Sequence, residues 1–177
     1  MVKTNINLFA EGEVVYTDGG VLAEFAWVLV VLPFIAALII TFAGKSLPLK
    51  GAEIALGTIG IIFIYSLALM YLHVTEGVAN EFFINVGNIG QFDIEFGWVV
   101  DGLSIMMYFV VGLVALLVFI YATNYMEGEI RYTFFFTSLT LFAGSMLVLV
   151  SSPTLIQILI GWELVGVCSY LLIGHYW

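Results

Sequence analysis

The sequence carries little charge, and very little of that charge is positive. Only 4 of the 177 residues are Lys or Arg, 13 are Asp or Glu, and charged residues make up 10% of the chain. Hydrophobic residues make up 63%, and the mean hydropathy is +1.15. These values exclude an ordinary water-soluble domain, so the composition predicts an integral membrane protein whose surface mostly faces lipid or other helices.

Cysteine is nearly absent as well. Cys168 is the single cysteine and lies in an apolar run, which excludes a disulfide framework and a cysteine-based metal or iron–sulfur site. The sequence also lacks glycine-rich dinucleotide or phosphate motifs, clusters of His and Cys, and a nucleophile placed beside a base. We therefore expect no metal, no cofactor and no nucleic acid on this chain, and we expect any redox reaction to be catalysed by other chains.

Five apolar runs are long enough to cross a membrane, because a bilayer core of about 30 Å needs roughly 20 helical residues. They extend approximately over residues 21–43, 52–74, 102–125, 132–150 and 154–177, and Pro33 is an expected kink in the first. The predicted fold class is thus all-α integral membrane, with about five transmembrane helices. Between the second and third runs, residues 76–100 are rich in Gly, Asn and aromatics and alternate in polarity, which predicts a short hairpin outside the membrane.

The basic residues set the expected orientation. With the N-terminus outside, five spans place Lys45 and Lys50 in one inner loop and Arg131 in the other, and only Lys3 lies outside. The hairpin is then extracytoplasmic. We expect a multi-pass protein of a bacterial plasma membrane.

Glu163 is the only acid deep inside a predicted span. It follows Thr154 by nine residues, which places it roughly 13 Å into the helix and near the bilayer midplane. A carboxylate at that depth is costly unless it faces a wet cavity, pairs with a cation or stays protonated, and all three states suit a proton carrier. The alternative is a protonated acid that merely joins two helices. Residues that share its helical face, which we expect to point into the protein, are Gly166, Val167, Tyr170 and Gly174.

Other polar residues are weaker candidates, and each has a plain alternative. Asp101 stands at the start of the third helix, where it could cap the helix or receive protons. His175, near the inner end of the fifth helix, could relay protons to Glu163 or could anchor the interface. His73 and Glu24 are interpreted as interfacial.

Three stretches carry a family resemblance: Asp101-Gly102-Leu103-Ser104, Asn124-Tyr125-Met126, and the run GWELVGVCSYLLIG at residues 161–174. They resemble the subunit L (chain 5) family of the proton-translocating NADH:quinone oxidoreductase, respiratory complex I. The last stretch is the specific one, and the similarity extends over residues 92–177. Sodium/proton antiporter and hydrogenase membrane subunits share a looser version.

The resemblance implies a membrane-arm subunit that takes part in proton translocation coupled to quinone reduction. Glu163 matches the glutamate of the family's central axis of lysines and glutamates, and Tyr170 lies on its face. NADH, FMN, iron–sulfur clusters and quinone are expected on partner subunits. The expected partners of this chain are other membrane-arm subunits and the lipid bilayer, and protons are the only small species it is expected to handle.

The resemblance also implies a division of the chain. Family members have several hundred residues, with two inverted repeats of five helices. Residues 1–125 would be an N-terminal segment with three spans and the hairpin, and residues 126–177 would be the first two helices of the antiporter-like repeat, which is truncated here. Two alternatives stay open: a cation/proton antiporter subunit, and a non-transporting subunit that stabilises a membrane assembly.

Overall fold

A computed structural model describes residues 20–89 and 92–176. Lys3 and Trp177 lie outside the described residues, and the predicted orientation of the chain stays a prediction. The elements in chain order are α1 (Gly20–Glu24), α2 (Trp27–Ala43), α3 (Ala52–Glu76), β1 (Asn80–Ile89), β2 (Phe92–Val100), α4 (Gly102–Tyr125), α5 (Tyr132–Ser151) and α6 (Leu155–Ile173). Helices α2 to α6 are each long and apolar enough to cross a membrane. The predicted all-α membrane fold with five spans is confirmed.

The first and last spans differ from their predicted bounds. The first apolar run is interrupted after Glu24, and α2 then continues unbroken through Pro33. The last span ends as an α-helix at Ile173 and continues as a 3-10 turn over Gly174–Tyr176. Hydropathy sets the presence of a span, whereas its ends depend on local hydrogen bonds that hydropathy does not report.

Four of the spans form a bundle, and the fifth packs on its outside. Helix α5 packs against α2, α4 and α6, while α3 packs against α2 and α4. The largest side chains that are fully buried between the bundle helices include Leu29, Ile59, Tyr108 and Phe136. Helix α6 packs mainly against α5, so most of its surface remains uncovered by the part of the chain that the structure describes.

Helix α5, at the centre of these contacts, carries several buried hydroxyl groups. Ser138, Thr140 and Ser145 each donate a hydrogen bond to the carbonyl four residues earlier, at 3.0, 2.7 and 2.8 Å. Such bonds satisfy a hydroxyl inside an apolar environment without a partner from another helix. The polar groups of α5 therefore need no water.

Between α3 and α4, the chain forms two antiparallel strands. Phe82 pairs with Trp98, and their rings stack with centroids 4.4 Å apart. One extra residue between Asn85 and Gly87 forms a bulge in β1. The location of this hairpin on the outer side of the membrane stays a prediction.

Candidate functional site on helix α6

Helix α6 has one buried face and one exposed face. Gln157, Gly161 and Cys168 are its buried residues. A Cβ atom at Gly161 would lie 3.0 Å from both N and Cα of Leu149 on α5, so the glycine permits close packing of the two helices. The buried face of α6 is thereby set by contact with α5.

Glu163 lies on the opposite, exposed face of α6. Tyr170 is 76% exposed and Val167 is 54% exposed, and a Cβ at Gly166 would meet no atom within 4 Å. Within residues 20–89 and 92–176, the Glu163 side chain has no hydrogen bond or ion pair. This face does not pack against the bundle within the described residues, because α6 uses its other face to reach α5. The expectation that it points into the protein stays a prediction.

His175 is placed elsewhere. Its side chain is 5% exposed, and its ring meets the ring of Phe135 edge-on, with centroids 5.6 Å apart. Arg131 Nη1 donates to the carbonyl oxygen of His175 at 3.4 Å. Twelve residues separate His175 from Glu163, or about 18 Å along a helix. The structure does not bring these two predicted site residues together.

Asp101 caps helix α4. Its Oδ1 accepts a hydrogen bond from the backbone N–H of Ser104 at 2.7 Å, the usual bond of an acidic N-cap. A role in proton entry is a separate matter and stays a prediction. Of the two residues interpreted as interfacial, His73 makes a 2.7 Å hydrogen bond through Nδ1 to the Val78 carbonyl oxygen, and Glu24 is exposed.

One polar contact of α6 was not predicted from the sequence. Gln157, 7% exposed, accepts from the N–H of Gly97 at 2.9 Å and donates to the Gly97 carbonyl at 2.8 Å. Thr154 Oγ1 donates to the carbonyl of Glu95 at 3.1 Å. Strand β2 is therefore held by the first turn of the helix that carries Glu163. An amide in an otherwise apolar helix start was the only sequence feature that could have indicated this contact.

The described residues contain no group of three His, Cys, Asp or Glu side chains that could hold a metal ion. Glu163 in particular stands apart from the acids at the ends of the spans. What the arrangement offers is a single carboxyl group near the middle of helix α6, on a helix face that a further helix or water can reach.

Comparisons with known proteins relate the chain to one family. The model of the family described as NADH-ubiquinone oxidoreductase (complex I), chain 5 N-terminus, matches residues 87–136. NAD(P)H-quinone oxidoreductase chain 5 of Synechocystis sp. is 38% identical over 163 residues, which cover 88% of this chain and 24% of that relative. Over most of its length, the chain is similar to the N-terminal part of the chain 5 proteins.

A second chain 5 relative, the chloroplastic NAD(P)H-quinone oxidoreductase subunit 5 of Chlorokybus atmophyticus, is 38% identical over 160 residues, or 86% of this chain and 24% of that protein. The chain thus spans about a quarter of the length of the curated relatives it matches. The matched family region covers β2, α4 and the start of α5. It ends before α6, so the match itself assigns no role to Glu163.

Proposed function

We propose that this chain works in the membrane arm of an NADH:quinone oxidoreductase, where it takes part in proton translocation coupled to quinone reduction. Glu163 is the intramembrane acid that takes up and releases the proton. The observation that carries this proposal is the position of Glu163 in the middle of helix α6, on a face that the described residues of the chain leave uncovered.

Depth is the first argument. Helix α6 has 19 residues and is about 28 Å long, and Glu163 lies about 12 Å from its start at Leu155. An ionised carboxylate near the bilayer centre is costly in contact with lipid, so membrane proteins keep such acids against a protein interior or a wet cavity. The exposed face of α6 is therefore expected to be covered by protein in the assembled complex.

The surroundings of Glu163 suit such cover. Gly166 lies on its face with open space where a side chain would stand, and small residues let another helix approach closely. Helices α2 to α6 contain no lysine. A cation that pairs with Glu163 would consequently come from a segment outside these helices, and its approach and withdrawal would change the proton affinity of the carboxyl group.

Tyr170 and His175 have lesser parts in the proposal. Tyr170 lies on the same face as Glu163, seven residues or about 10 Å further along, so proton exchange between them needs an intervening water or a partner's side chain. His175 is at the far end of the span and beneath Phe135. Proton transfer between Glu163 and His175 would need a chain of water molecules or partner side chains around helix α6.

The remaining parts of the reaction belong to other chains in this proposal. NADH, FMN, iron–sulfur clusters and quinone bind to partner subunits, and neighbouring membrane-arm subunits together with lipid surround this one. Conformational and electrostatic changes that accompany quinone reduction drive the proton step at Glu163.

The test uses the assembled complex that contains this chain, reconstituted into proteoliposomes, with proton movement measured per NADH oxidised. In Glu163→Gln, the carboxyl group is lost at nearly constant volume, and we expect the proton yield to fall while the complex still assembles. Glu163→Asp keeps the acid and should retain part of the yield. Glu127→Gln, which removes an exposed acid in the turn before α5, is the matched control and should leave the yield unchanged.

Three results would contradict the proposal. Normal pumping by Glu163→Gln would remove the acid from the mechanism. Sodium-dependent transport without NADH would make the chain an antiporter subunit. If Glu163 tolerated every substitution while loss of the chain prevented assembly, the chain would be a structural subunit.

A further inference from the structure

Three of the four basic residues of this chain meet at one pocket. The pocket has a volume of about 330 Å³, and the residues that line it include Lys45, Lys50 and Arg131. They come from separate places: Lys45 from the 3-10 turn after α2, Lys50 from the loop before α3, and Arg131 from the residue that precedes α5. In a chain with a net charge of −9, this is a marked concentration of positive charge.

The pocket is held in shape by contacts between its two loops. Thr133 Oγ1, in the first turn of α5, donates a hydrogen bond to the carbonyl of Lys50 at 3.1 Å. A Cβ at Gly44 would lie 2.7 Å from Cγ2 of Thr133, so the first span reaches α5 closely at this end. The loop that carries Lys45 and Lys50 is thus in direct contact with the start of α5, next to Arg131.

The three cations form no ion pair with an acid among residues 20–89 and 92–176. Acidic residues do lie at this end of the bundle, among them Glu127 and Glu129 in the turn before Arg131. No ion pair between any of the three cations and an acid is found in the part of the chain that the structure describes. The pocket also borders the start of α5, where the positive end of the helix dipole adds to the positive potential.

The neighbourhood of the pocket is apolar. Ile130 is 100% exposed, Leu49 is 52% exposed and Phe134 is 42% exposed. Since the pocket lies at the ends of predicted membrane spans, we expect these side chains to lie at the boundary between the lipid headgroups and the acyl chains. A free phosphate ion would use the cations alone, whereas a phospholipid would use both the cations and the apolar flank.

We propose that this pocket binds the phosphate-bearing headgroup of an anionic phospholipid. The two lysines and Arg131 contact the phosphodiester oxygens and the net negative charge, with Arg131 able to present two N–H donors at once. The acyl chains lie along Leu49, Ile130 and Phe134. Basic pockets between transmembrane helices are recognised sites for anionic lipid headgroups, and this inference does not depend on the role proposed for Glu163.

The experiment is a lipid titration of the full chain, purified in mild detergent, read by native mass spectrometry. Phosphatidylglycerol and phosphatidylcholine with identical acyl chains are compared, and inorganic phosphate is tested as a competitor. The variants are Arg131→Gln, the triple change Lys45→Gln/Lys50→Gln/Arg131→Gln, and Lys3→Gln as a control that also removes one positive charge. All of these changes replace a side chain by a polar one of similar length, and the pocket residues among them are exposed.

We expect tighter binding of phosphatidylglycerol than of phosphatidylcholine. Arg131→Gln should weaken phosphatidylglycerol binding by about fivefold and the triple variant by on the order of 100-fold, in line with the usual contribution of one cation near a lipid surface. Lys3→Gln should change it less than about twofold.

Each of the opposite results would overturn the proposal. Equal losses in Lys3→Gln and Arg131→Gln would show a general charge effect. Displacement of the lipid by millimolar phosphate would make a free anion the ligand. A triple variant that binds phosphatidylglycerol as tightly as the unmodified chain would show that the three cations do not bind the headgroup.

Discussion

Replacement of Gln157 by Met tests whether α6 holds the hairpin in place. Met has nearly the length and volume of Gln, so the helix packing is retained while both hydrogen bonds to Gly97 are lost. We expect strand β2 to become detached from α6 more often, and the five spans to stay folded.

The magnitude follows from the two contacts. Gln157 binds the N–H and the carbonyl of Gly97 at 2.9 and 2.8 Å, and both bonds are buried. Each buried backbone group that loses its partner costs about 1–3 kcal/mol, so the change should lower the free energy of opening of β2 by about 2–6 kcal/mol. Even the lower figure corresponds to a roughly 30-fold larger equilibrium constant for the opening of β2.

The assay is hydrogen–deuterium exchange read by mass spectrometry on peptides from β2, α4 and α6. Exchange in β2 should rise by at least the factor given above, and exchange in α4 should not change. Leu155→Met is the matched control, because Leu155 is 81% exposed on the same helical turn. If β2 exchanged at the same rate in Gln157→Met as in the unmodified chain, the two bonds would not hold the hairpin and the argument would fail.

Two further predictions concern α6 and α4. Gly161→Ala should lower the free energy of unfolding of the purified chain by about 1–3 kcal/mol, because its Cβ would press on the Leu149 backbone. Gly166→Ala, whose Cβ meets only open space, should leave the free energy of unfolding unchanged. Equal melting temperatures of the two variants would refute the close packing of α6 on α5. Asp101→Ala should cost about 1 kcal/mol through loss of the cap on the Ser104 N–H, whereas Asp101→Asn keeps the cap; a stable Asp101→Asn variant that moves no protons would assign Asp101 to proton entry.

Most of the fold could be predicted because the bilayer imposes it. An uncharged run such as residues 102–125 has one stable form in lipid, a helix that satisfies its own backbone, and α4 has those bounds. The break after Glu24 was missed, since Pro33 was the only visible irregularity in the first run and α2 continues through it. A proline can be accommodated in a membrane helix when neighbouring groups compensate for the lost hydrogen bond.

The candidate site was predicted only in part. Glu163 stands out in any hydropathy profile because a charge in an apolar run is rare. The surroundings of His175 were open in the sequence, because the 3-10 turn at the end of α6 and the ring of Phe135 decide where the histidine lies. Gln157 was overlooked because its partner, Gly97, is 60 residues away along the chain.

The sequence by itself determined that this chain has five segments long and apolar enough to cross a membrane as helices, because the cost of placing unpaired backbone groups in hydrocarbon leaves such segments no other stable form. Only the tertiary structure decided which face of α6 is buried. That choice depends on how closely Gly161 can approach Leu149 and on where Gln157 meets the hairpin, and such contacts between distant residues leave no periodic pattern in the sequence. The same contacts turn Glu163 away from its own bundle.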